Sequence, residues 1–134
     1  MPLVVDSKEI GGEFKNDEYT LRVTYDFSKD AGAIGTLDLF EAKSDIVLTG
    51  FHAVVKSAVT SAGAATVEAG YTGATNGLMT AKLQAALTAN TVVPKDGAAA
   101  AARRIAAGEK ITQTIAVAAL TAGKVEYVIK YMAF

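Results

Sequence analysis

Apolar and polar positions alternate with a period of two over most of the chain, the spacing of half-buried β-strands. Over 19–27, Tyr19, Leu21, Val23, Tyr25 and Phe27 fall on one face and Thr20, Arg22, Thr24 and Asp26 on the other. The stretch 36–41 sets Leu37 and Leu39 against Asp38 and Phe40, and 45–57 reads as a longer apolar strand with a bend or bulge expected at Gly50. Two shorter strands are expected at 66–71 and 91–93, the second stopped by Pro94. In the last 24 residues, Ile111, Ile115 and Val117 alternate with Thr112, Thr114 and Ala116. Val125, Tyr127, Ile129 and Tyr131 then alternate with Glu126, Val128, Lys130 and Met132. The small residues of 119–124, with Gly123 free to take positive φ, predict a turn that closes these two runs into a β-hairpin.

Three segments depart from this pattern. Leu78, Met79, Leu83, Ala86 and Leu87 recur at three- and four-residue spacings, which predicts one short helix over 78–87. The run 96–110 contains five consecutive alanines; propensity favours a helix, but the β context favours a loop leading to a short strand around 103–106. Residues 1–16 mix Leu3, Val4, Val5 and Ile10 with glycines and charges and read as an extended N-terminal arm, leaving 17–134 as one domain. The expected fold is therefore all-β, a single β-sandwich or jelly roll of about eight strands.

At 134 residues the chain has room for one ordinary domain. Alanine carries much of its 51% hydrophobic content, so the core is built from small residues and contacts between subunits are an expected supplement. There is no cysteine, which excludes disulfides, thiolate metal sites and cysteine nucleophiles. The N-terminus lacks the layout of a signal peptide, and every long apolar window is broken by charge; a soluble chain made in the cytoplasm is expected. Net charge is −1, yet residues 1–45 sum to −5 and residues 46–134 to +4. Scattered cations do not form a nucleic-acid footprint. The split reads first as solvated surface, and second as an acidic part of one subunit meeting a basic patch on a neighbour.

Chemistry is sparse. His52 is the one histidine and lies in an apolar strand, where a polar pocket or a subunit contact suits it better than a metal site without partners. Ser57 or Ser61 with His52 and Asp45 lacks any nucleophile signature. Asp38, Glu41 and Asp45 could approach a calcium ion, but without a spaced ligand loop a solvated strand end is the better reading. No catalytic residue, cofactor or metal ligand is assigned. Tyr71, Tyr127, Tyr131 and Phe134 could form an aromatic sugar platform; core and interface filling is the stronger role for these rings.

The run from Gly70 to Leu78 (GYTGATNGL) and the closing run from Ala118 to Tyr131 (AALTAGKVEYVIKY) resemble small jelly-roll structural proteins of tailed bacteriophages, in particular head decoration or cement proteins. The resemblance extends over about residues 40–134 as a pattern of strands and glycine turns. It implies a non-enzymatic homotrimer on the outer capsid surface of the virion. That trimer would clamp adjacent major capsid protein subunits, without nucleic-acid or membrane contact. Val4, Val5, Tyr127, Tyr131 and Phe134 are the expected interface residues. The alternatives are a carbohydrate-binding or adhesin-type β-sandwich and another phage component, a head fibre or tail protein.

Overall fold

A computed structural model describes residues 18–99 and 103–134; the arm expected at 1–16 lies outside the described residues. Nine strand segments follow in order: β1 (Tyr19–Asp26), β2 (Gly35–Glu41), β3 (Ile46–Ser61), β4 (Thr66–Tyr71), β5 (Ala74–Leu83), β6 (Val92–Pro94), β7 (Arg103–Ile105), β8 (Lys110–Ala116) and β9 (Leu120–Ala133). A single helical turn, α1 (Phe27–Asp30), follows β1, and a 3-10 turn (Gln84–Ala86) follows β5. One sheet runs β1-β9-β3-β6, with β7 on the same flank of β3, and the other runs β2-β8-β4-β5. All pairings are antiparallel. With β6 and β7 sharing one strand position, this is the eight-strand order of a jelly roll.

The two C-terminal runs are strands, as their alternation predicts, but they do not form a hairpin. β8 pairs with β2 and β4 in one sheet, while β9 pairs with β1 and β3 in the other. The turn also falls earlier than expected, at 117–119, so Gly123 lies within β9. Alternation fixes that two strands exist and says nothing about which partner each takes. Three extended residues reach about 10 Å, the separation of two packed sheets, so a short link can cross between layers as readily as reverse within one.

The helix expected at 78–87 is also corrected. Residues 74–83 are β5, and only Gln84–Ala86 turns, as 3-10. Between Ala74 and Met79 the register against β4 slips: two residues of β4 oppose five of β5. The irregularity lets adjacent Leu78 and Met79 both bury, at 0% and 1% exposure, which mimics helical spacing in the sequence. The loop-and-strand reading of 96–110 agrees with β7, and the bulge in β3 falls between Leu48 and Gly50.

Inward rows from both sheets form one core. Val125, Tyr127 and Ile129 of β9 pack with Phe51, Ala53 and Val55 of β3, and with Ile111 and Ile115 of β8 across the layers. Tyr127 is fully buried and donates its hydroxyl to Gln113 Oε1 at 2.5 Å, tying the two sheets at their centre. Burial pushes the Tyr127 phenol well above its ordinary pKa, so it remains a donor at any ordinary pH. The GYTG run that looked like a turn is the β4–β5 reversal. A Cβ on Gly70 would sit 2.0 Å from the Ala74 carbonyl oxygen, so only glycine fits.

Candidate interaction surface

Among the described residues, part of the charge split of the sequence is taken up by ion pairs inside the subunit. Asp26 faces Lys124 (3.7 Å), Asp38 faces Lys110 (3.2 Å), Asp45 faces Arg104 (2.5 Å) and Arg22 faces Glu126 (3.1 Å). In the first three, an acid from residues 1–45 meets a base from the C-terminal third, because β1 lies beside β9, β2 beside β8 and β3 beside β7. The antiparallel neighbours use the complementarity that could otherwise have marked a contact between subunits.

At one end of the sandwich two of these pairs, Asp45–Arg104 and Asp38–Lys110, form a charged cluster, whereas Asp26–Lys124 lies toward the other end. Asp45, just before β3, accepts from the Arg104 guanidinium and from the Ala107 N–H at 2.8 Å. These bonds, Arg104 first, hold its carboxyl below the usual carboxylate range. Arg104 also stacks 4.7 Å from the ring centroid of Phe134, whose N–H reaches the Asp45 carbonyl. Lys43–Glu41 and Lys110–Asp38 lie on the adjoining strand end. Beside them Tyr131 contacts Tyr19 and Phe40, with ring centroids 5.5 and 5.8 Å away.

The opposite end contrasts with this one in chemistry. Three runs without Asp, Glu, Lys or Arg meet there, 32–37, 58–67 and 114–123, and the charged groups at their border are Asp26 with Lys124, Lys29 and Asp30 of α1, and Lys82 with Asp96 beside Val67. Gly32 accepts from the Leu120 N–H at 2.8 Å, Ser61 donates to the Ala119 carbonyl, and Gly35 pairs with Ile115, so backbone and hydroxyl contacts bind the rim together. Ile34, Val117 and, on the neighbouring strand end opposite Thr66, Leu83 are large aliphatic side chains exposed on it, at 59%, 70% and 54%. A cavity of about 190 Å³ opens beside Ile34, between Tyr25, Leu37, Gln113 and Ile115. Helix α1, with Asp26 capping the Ser28 N–H, forms its polar border.

The expected site residues are distributed between these surfaces and the core. Of the two places expected for Tyr127, it takes the interior of the sandwich; Tyr131 is half-buried in the aromatic trio, and Phe134 is 72% exposed at the charged end. Val4 and Val5 lie outside the described residues. Tyr71 is 7% exposed beneath the Arg103 guanidinium, so Tyr71 and Tyr127 offer no open face and the four rings do not form a sugar platform. Asp45 and Ser57 lie at opposite ends of β3, roughly 40 Å apart at strand rise, so no serine triad assembles. His52 is half-buried on the outer face of its sheet between Val128 and Pro94. Among the described residues, no group of three or more His, Asp or Glu side chains is placed to hold a metal ion. Tyr19 and Phe40 were missed as site residues; alternation puts Tyr19 on the apolar face of its strand and Phe40 with Asp38 on the other face of its own, and neither assignment shows that the two rings meet around Tyr131.

No family model matches the chain, and no curated protein does. Solved structures do. A chain from the acid-stable capsid of the Helicobacter pylori bacteriophage KHP30 superposes with a TM-score of 0.62 at 12% identity, over 89% of this chain and 90% of that one. A chain of the cyanophage Pam1 capsid asymmetric unit gives 0.64 at 13%, over 92% and 90%. One from the capsid of Ralstonia phage GP4 gives 0.65 at 15%, over 92% and 89%. The jelly roll of this chain is thus a fold found, nearly end to end, in chains of three phage capsids.

Proposed function

We propose that the protein is a non-enzymatic structural component of a phage virion, a head decoration protein that binds the outer capsid surface and reinforces contacts between major capsid protein subunits. The observation that carries this reading is the near full-length match, in both directions, to chains of three different phage capsids. Such coverage leaves little of either chain for a separate catalytic insert. The chemistry is consistent: Asp26, Asp38 and Asp45 are held in ion pairs, and a Tyr–Gln bond ties the two sheets through the core. In this role the protein assembles as a homotrimer. Tyr131 and Phe134 at the charged end, with Val4 and Val5 of the N-terminal arm, make contacts between copies.

Add-back to heads that lack the protein tests the assignment. Purified chain should sediment with the heads and raise the temperature at which they release DNA. Absence of the chain from purified virions by mass spectrometry would rule the role out. Light scattering on the free protein should give three times the mass of one chain, and a monomer at micromolar concentration would remove the trimer.

A further inference from the structure

One step of the GYTGATNGL run is chemically labile. Asn76–Gly77 is the one Asn-Gly step in the chain. Such a pair ordinarily makes a two-residue hairpin turn. Here the reversal falls at Thr72 and Gly73, between β4 and β5, and Asn76–Gly77 lies inside β5. Packing requires glycine at 77, because a Cβ there would sit 2.5 Å from the Tyr71 ring. With no side chain at 77, nothing of that residue shields its backbone nitrogen from the exposed Asn76 side chain next to it. Across this step lies a strap, residues 95–99. A Cβ on Gly97 would overlap the Gly77 carbonyl and lie 2.6 Å from the Asn76 carbonyl oxygen, so the strap backbone rests against the Asn76–Gly77 peptide itself. The Ala99 N–H donates to the Gly77 carbonyl at 3.0 Å, and the Asp96 and Gly97 N–H groups share the Leu78 carbonyl at 3.1 Å. The Asp96 carboxylate fastens the strap: it accepts from the Thr80 N–H at 2.9 Å, the Thr80 hydroxyl at 3.2 Å and the Lys82 ammonium.

We propose that Asn76 is a site of spontaneous deamidation whose rate is set by the strap. The Gly77 nitrogen attacks the Asn76 side-chain carbonyl carbon. The new N–Cγ bond forms, the Cγ–Nδ2 bond breaks, and ammonia leaves with the Gly77 amide proton. Water then opens the cyclic imide, without oxidation or reduction. Cleavage at Cγ gives aspartate, and cleavage at the main-chain carbonyl gives isoaspartate, in which the chain runs through Cβ and Cγ. Ring closure needs the Asn76–Gly77 peptide to rotate out of its strand geometry, and the docked strap prevents that rotation. The reaction therefore proceeds from a locally open state in which 95–99 has lifted while the core stays folded. Isoaspartate lengthens β5 by one main-chain atom where three strap hydrogen bonds converge, so a converted molecule cannot dock its strap as before. The step is a one-way record of strap opening, and it does not depend on the virion role.

The test follows the full-length protein in mildly alkaline buffer by peptide mapping and mass spectrometry, with amide exchange on the products. Replacing ammonia by water adds one mass unit to the fragment that carries Asn76. The native protein should gain it at least tenfold more slowly than the chain unfolded in urea, and Asn76→Gln should not gain it. Asp96→Ala, which unfastens the strap, should speed the gain at least threefold. Tyr127→Phe weakens the core without touching the strap and should leave the native rate unchanged. Converted protein should lose amide protection at Gly97 and Ala99. Equal rates in the native and unfolded chain, or a wild-type rate in Asp96→Ala, overturn the proposal. So does equal acceleration by Tyr127→Phe, which would mean that global unfolding, not strap opening, admits the reaction.

Discussion

The two ends of the jelly roll are held together by different forces. At the charged end, the segment around β7 is fixed to the start of β3 by the Asp45 carboxylate, the Arg104 guanidinium and the Ala107 N–H. At the opposite end, backbone meets backbone, and Gly32 lies against Leu120 with no room for a side chain. Exposed ion pairs stabilise weakly and are screened by salt. Close packing is insensitive to salt and has little tolerance for added volume. The difference shows how one core can carry two ends held by different forces.

The largest expected effect is at the packed end. A Cβ on Gly32 would lie 2.4 Å from the Leu120 carbonyl oxygen. Gly32→Val should therefore cost about 2–3 kcal/mol, equally at low and high salt, as measured by urea denaturation. Midway between the ends, Tyr127→Phe removes the donor to Gln113 and should cost about 1–2 kcal/mol. Adding Gln113→Leu should recover part of that loss, because the orphaned amide disappears with its partner; a further loss in the double variant would show that Gln113 packs independently.

Acid should distinguish the ends next. Asp45 has a lowered pKa when folded, so its contribution to stability is present above the ordinary Asp value of about 3.9 and is lost as pH falls through the lower folded value. Amide exchange read across that fall should lose protection around 103–107 before it does in 111–123. The reverse order would mean that packing, not charge, limits the charged end. The smallest effect is expected for Arg104→Gln, a slight drop in Tm at low salt that disappears at high salt. A deficit of the same size at high salt would show that stacking on Phe134 matters more than the charge.

Legibility followed the range of the interaction. The faces of β1 and β9 were readable because alternation is a local consequence of strand geometry and water, whereas β3 was readable only as an apolar strand. The helix misassigned to 78–87 arose where a register slip put Leu78 and Met79 on the same side, a distortion imposed by β4 and invisible in β5 alone. The candidate surfaces were less legible. Phe134 was picked out as an interface ring, but Arg104 reaches it only because β7 docks on β3. The uncharged rim is written in three runs far apart in sequence, and nothing in any one of them indicates that they meet.

By itself the sequence determined an all-β domain with its core rows marked, because burying alternate side chains depends only on each strand and the solvent. Tertiary structure decided that β8 and β9 part company across the sandwich. Turning back and crossing over need the same short link, and only the positions of β2, β3 and β4 select between them. That selection places Val117 at the crossing, in a backbone conformation that valine would not adopt alone.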